Sequence, residues 1–238
     1  MALFFTILLA TLAPPRTGEE LLRQMHDRYA GKWYHSLTFV QTTTFADGHL
    51  ETWYEAAAIP GKLRIDIAPV GEKNTILFSG DSVYQWQKGT RQGGGPFVHP
   101  LMVLGFDVYA QPVERTTAQL RQLGYDLSKV RADVWQDRPV WVVGADSGDL
   151  RHKQFWIDQE RLVFVRSLEP ARRDSTVVVE VQFNKYQPLG RGWIAPEVVQ
   201  LRNGALVIKE EYADMRFDVA LPPSLWDAAI FPEATWMR

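Results

Sequence analysis

The sequence predicts a mainly β protein built on one long, curved antiparallel sheet of about eleven or twelve strands, with an N-terminal helix and short helices acting as a lid. Three observations predict it. Apolar residues recur at helical spacing up to Trp33, and from Ser36 onward they alternate with a period of two. Turn signals follow one another closely, among them Asp47-Gly48, Pro60-Gly61, Gly80-Asp81 and Asn203-Gly204, and short links join antiparallel neighbours. One segment, residues 97–106, is apolar on almost every side and has to be buried against something.

The elements follow in order. The run from Ala2 to Ala13 is apolar and ends at Pro14-Pro15. It has the length of a signal-peptide core and is too short to span a bilayer, so export is expected, with cleavage after Ala13; no Lys or Arg precedes it, and a buried N-terminal strand or helix is the alternative. Thr17 with Glu20 three residues later forms a capping box, and Leu21, Leu22, Met25, Tyr29 and Trp33 form a core-facing stripe. Strands are then expected from Ser36 onward, over 51–58, over 63–67, where Leu63, Ile65 and Ile67 face the core while Arg64 and Asp66 face solvent, and over 75–79 and 82–88. Residues 89–98, rich in glycine, read as a flexible loop leading into the apolar segment. A short amphipathic helix follows at 115–123. Strands resume at 128–136, 139–146, 153–158, 161–168, 175–187, 193–202 and 205–218, and the tail 221–227 closes the chain. A sheet this long cannot stay flat and curls into a barrel or part-barrel, and residues 17–238 read as a single domain.

Composition narrows the function. The chain has 238 residues, 46% hydrophobic and 23% charged, with net charge −2 and no cysteine. Without a basic footprint, nucleic acid is not an expected partner. The missing cysteine excludes disulfides, thiolate metal sites and a cysteine nucleophile. The five histidines show no ligand spacing, no phosphate-binding loop or nucleophile elbow is present, and Glu210-Glu211 sit on consecutive strand positions that point to opposite faces. No catalytic residue, metal ligand or cofactor is therefore expected.

What remains is apolar surface. Nine tryptophans and twelve phenylalanines are many for this length; core packing accounts for most of them, and the apolar segment 97–106 with its glycine-rich approach reads as a lid over an apolar cavity, a simple structural plug being the alternative. Alternation and lid position nominate Phe39, Trp53, Leu63, Ile65, Ile67, Leu77, Tyr84, Trp86, Trp141 and Phe155 in the sheet, with Phe97, Leu101, Met102, Leu104 and Phe106 in the lid.

Four stretches, in order, carry a resemblance to a known family: Pro60-Gly61-Lys62-Leu63-Arg64-Ile65-Asp66 with residues 74–86; Phe155-Trp156-Ile157-Asp158 with Arg161-Leu162-Val163; Gly192-Trp193-Ile194-Ala195-Pro196 leading to Glu210-Glu211-Tyr212; and Leu221-Pro222-Pro223-Ser224-Leu225-Trp226-Asp227. The chain resembles the periplasmic lipoprotein-carrier superfamily that includes the outer-membrane lipoprotein-sorting protein, the LolA-like proteins. The resemblance implies an incomplete barrel of about eleven strands with helices over its open side. It also implies a soluble periplasmic, monomeric, non-enzymatic carrier of a lipid or of the acyl chain of a lipoprotein, meeting membrane-associated donor or acceptor proteins. A sensor or assembly factor that binds a protein partner on the same fold is the alternative. Two departures stand out: Ile59 occupies the position where the carrier has an arginine that helps its lid close, and the middle insert is longer.

Overall fold

Thirteen strands form one antiparallel sheet in the computed structural model, which describes residues 13–229 and Trp236. The expected signal peptide lies almost wholly outside the described residues. The sheet is not closed into a barrel. Its spatial order begins at the edge with β6 (Thr90–Pro96) and runs back through β5 (Ser82–Gln87), β4 (Asn74–Ser79), β3 (Lys62–Ile67) and β2 (Leu50–Ala58) to β1 (Ser36–Phe45). There the last strand, β15 (Ala205–Phe217), is inserted, followed by β14 (Glu197–Arg202), β11 (Asp174–Asn184), β10 (Phe164–Ala171), β9 (Gln154–Asp158), β8 (Arg138–Val143) and β7 (Val130–Trp135). A two-stranded ribbon, β12 (Gln187–Leu189) and β13 (Gly192–Ile194), projects between β11 and β14. The two halves of the chain are each a meander, and β1 against β15 joins them.

The N-terminal helix α1 (Gly18–Tyr29) forms where the capping box predicts it: the Thr17 hydroxyl accepts the Glu20 backbone N–H at 3.2 Å. Leu21, Leu22, Met25 and Tyr29 are buried. The apolar middle segment supplies α2 (Pro100–Gly105), a 3-10 turn at Asp107–Tyr109, and then α3 (Val113–Gln122). Pro100 at the first helical position and His99 as its cap explain why α2 starts there. All three helices lie against one face of the sheet, its inner face. Tyr109 ties them together, stacking on Trp33 at 3.8 Å between ring centres and meeting Tyr29 edge-on at 5.3 Å.

Two expectations change. Residues 90–96 are not a loop but the edge strand β6, whose Gly93–Gly95 backbone pairs with Val83–Gln85 of β5. Backbone pairing needs no side chains, and glycine and proline are tolerated at an edge. Arg64 and Asp66 are not solvent-facing: they are 4% and 5% exposed. They form a two-point ion pair, Nε to Oδ2 at 2.8 Å and Nη2 to Oδ1 at 3.1 Å. Asp66 also accepts the Thr75 hydroxyl at 2.6 Å and the Trp236 indole N–H at 2.9 Å. The tail turn Pro223–Trp226 packs near β3 with Leu225 buried, so the outer face here has its own cover. Alternation alone marks one face apolar and leaves the other to solvent; a chain end folded back over that face overrides it.

Candidate functional site

The paired register decides which side chains share the inner face. Leu37 pairs with Ala57, Phe39 with Glu55 and Gln41 with Trp53 between β1 and β2. Ala57, Glu55 and Trp53 pair onward with Leu63, Ile65 and Ile67 of β3. Leu63 and Ile65 pair with Phe78 and Ile76 of β4. On the other side, Gln41 pairs with Tyr212 and Thr43 with Glu210 of β15, then Val198 with Glu210 and Gln200 with Ile208 of β14. These residues, apart from Ile67 and Thr43, line a cavity of about 240 Å³, roofed by Leu101, Met102 and Phe106 of the α2 region and bounded by Phe183 on β11. Small-molecule sites usually run from roughly 300 to 1,000 Å³, so there is room for one slender ligand.

The nominated residues divide. Phe39, Trp53, Leu63, Ile65, Leu101, Met102 and Phe106 are brought together in the cavity wall. Ile67 shares the inner face beyond the cavity. Phe97 packs outside it, against the rings of Phe78 at 5.9 Å and His99 at 5.7 Å. Leu104 is fully buried and turned into the core. Leu77, Tyr84 and Trp86 are corrected to the outer face: Leu77 pairs with Arg64 and Tyr84, and Trp86 with Thr75. The phase of β4 is the reason, since Ile76 and Phe78 look inward and Leu77 between them cannot. Trp141 and Phe155 face inward but at the far end of the sheet, where Phe155 meets Tyr125 edge-on at 5.3 Å.

The cavity also holds polar groups that sequence reasoning missed. Glu55 is 4% exposed, and its carboxylate has no hydrogen-bond donor among the described residues. Glu210 accepts the Tyr212 hydroxyl at 3.0 Å, with Gln200 beside it in the cavity wall. Gln41, buried between them, donates to the Thr43 hydroxyl at 2.8 Å. The signal existed: Glu55 lies in phase with Trp53 and Ala57, and Glu210 with Ile208 and Tyr212, so each glutamate sits on an apolar face. Adjacent Glu210 and Glu211 do point apart; the partner of Glu210 comes from two strands away. At the mouth, Asp107 is 2% exposed and accepts the Gly61 N–H at 2.9 Å. His99 accepts the Met102 N–H through Nδ1 at 3.4 Å.

Burial shifts these groups. It raises Glu55 well above the ordinary glutamate range, and the charge of Glu210 raises it further. Burial pushes Glu210 up to about 7 against the pull of Tyr212 and Gln200. Burial also brings Asp107 to about 7, opposed by the Gly61 N–H and Arg115, and drives His99 down to about 4. The sign follows. A carboxyl with a raised pKa keeps its proton in the folded state after the unfolded chain has lost it, so its contribution is full below about 4 and is lost as pH rises towards 7. His99 acts the other way, costing stability as pH falls from 6.5 towards 4. Three carboxyls outweigh one imidazole, with Lys62 the other charged group in the wall. Urea denaturation is expected to show lower stability at pH 8 than at pH 5. Glu210→Gln should be the more stable protein at pH 8 by about 1–3 kcal/mol, with little change at pH 5. Equal stability of the variant and the parent at pH 8 would refute the assignment.

No family model matches the chain, and no curated protein does. Solved structures do. A putative outer membrane lipoprotein-sorting protein domain from Vibrio parahaemolyticus superposes with a TM-score of 0.60 at 14% identity, covering 90% of this chain and 97% of that one. A DUF1329 family protein from Desulfovibrio piger gives a TM-score of 0.57 at 11% identity, covering 89% and 96%. A LolA superfamily protein from Nitrosomonas europaea gives a TM-score of 0.54 at 11% identity, covering 90% and 98%. The open antiparallel sheet with its helical cover is therefore the LolA-like fold.

Proposed function

We propose that this chain is a non-enzymatic, soluble periplasmic binding or carrier protein that holds a lipid, or one acyl chain of an acylated protein, in the cavity beneath α2. The observation that carries this reading is the cavity itself: apolar residues from the four adjacent strands β1 to β4, Leu37, Phe39, Ala57, Leu63 and Ile76 among them, face a roof of Leu101, Met102 and Phe106. Each methylene moved from water into such a space contributes about 0.8 kcal/mol, so an acyl chain gains most from a sheltered cavity. The LolA-like fold supports the carrier class. Among the described residues no helix is long and apolar enough to cross a membrane, which accords with a carrier moving between membranes and meeting donor and acceptor proteins there. A filled interior with an apolar patch outside would have favoured the protein-binding alternative; an unfilled inner cavity favours a small apolar ligand.

Native mass spectrometry of protein purified from cells is expected to show bound lipid, and the stripped protein should take up a fluorescent fatty acyl probe. Ala57→Phe, which adds a ring to the cavity wall, should weaken uptake by at least about tenfold while the fold is kept. Clean apoprotein with no probe uptake, or full uptake by Ala57→Phe, would overturn the reading.

A further inference from the structure

The cavity is mostly apolar, with Lys62, His99 and Asp107 in its lining and one further polar cluster deeper in. Glu55 on β2 and Glu210 on β15 enter it from either side of β1, beside Gln41, Gln200 and Tyr212. The Tyr212 hydroxyl is spent on Glu210. Gln41 turns its amide to Thr43. Glu55, nine-tenths buried and facing the cavity, is left with no donor among the described residues. A carboxyl buried without a partner is costly, and nothing in a merely greasy pocket calls for two of them. The aromatic rings of Phe39 and Tyr212, 4.4 Å apart, border the same spot.

Resting on the cavity reading above, we infer that the Glu55–Glu210 pair is a subsite for a positively charged amine, so that the ligand is an amphiphile with an alkyl chain and an ammonium group. An ammonium brings three donors and one positive charge. It would satisfy Glu55 directly, offset the charge of Glu210, and lie against the neighbouring ring faces. An ammonium favours the ionised form of both carboxyls, whereas a fatty carboxylate or a phosphate meets each ionised member of the pair as a like charge. The apolar roof and walls take the chain, and the pair orients the headgroup.

The test uses the full chain stripped of lipid and three probes of equal length: dodecylamine, dodecanol and dodecanoate. Affinities are measured by calorimetry at neutral pH. Dodecylamine is expected to bind at least about tenfold more tightly than dodecanol, with dodecanoate weakest. Glu55→Gln should bring the amine down to the level of the alcohol, and its circular dichroism spectrum and urea midpoint report an intact fold. Glu210→Gln provides the same arm independently. Equal binding of amine and alcohol by the parent protein, or a preference that survives in both variants, overturns the amine subsite and leaves the apolar cavity standing. Failure of all three probes overturns the subsite and the proposed function together.

Discussion

Asp66→Ala is expected to lower the free energy of unfolding by about 3–5 kcal/mol. Asp66 is 5% exposed and accepts four hydrogen bonds: two from Arg64, one from Thr75 and one from Trp236. Removing the carboxylate deprives the Arg64 guanidinium, itself 4% exposed, of its two-point contact with Asp66. Breaking a buried pair from one side costs more than the pair itself is worth. The change also releases Trp236 and so loosens the chain end over β3–β5. Replacing both members, Arg64→Met with Asp66→Leu, should restore most of the lost stability, since neither charge then remains buried. Urea denaturation of the single and double variants measures this. A loss below about 1 kcal/mol for Asp66→Ala would show that the pair is hydrated and the outer cover open.

Tyr109→Ala is expected to cost a similar amount, about 3–5 kcal/mol, for a different reason. Tyr109 is fully buried in the 3-10 turn after α2. Its ring stacks on Trp33 and meets Tyr29, and its hydroxyl accepts the Phe164 backbone N–H at 3.3 Å. It therefore joins α1, the lid segment and the central strand β10. Truncation leaves a cavity at that junction and an unpaired buried N–H. Tyr109→Phe keeps the ring and loses only the hydrogen bond, so about 1 kcal/mol is expected. Because the turn carrying Tyr109 directly follows α2, the alanine variant should also bind an acyl probe more weakly than the phenylalanine variant. Thermal or urea denaturation with probe titration checks both, and an unchanged unfolding midpoint for Tyr109→Ala would remove the junction argument.

Local rules were enough for the elements themselves. The Thr17–Glu20 box placed α1, Asn203-Gly204 placed the β14–β15 turn, and alternation in 63–67 placed β3. They failed where a neighbour distant in sequence sets the environment. The glycines of β6 became a strand because β5 offers a free edge. Alternation within each strand nominated Leu77, Tyr84 and Trp86 for the inner face, yet the phase of β4 against Leu63 and Ile65 sends them outward. Arg64 and Asp66 carry charge, which by itself predicts exposure, and only the returning tail buries them.

The sequence by itself determined the mainly antiparallel architecture, the helix and lid segments, and seven of the residues that meet in the cavity wall, because alternation, capping and turn chemistry are properties of neighbouring residues. The tertiary structure decided what the cavity contains. Glu55 and Glu210 are 155 positions apart in the chain (210 − 55). They meet because the last strand inserts beside the first, and no local pattern encodes that insertion. The carboxyl pair, and with it the chemistry the cavity can recognise, exists only once β15 has paired with β1.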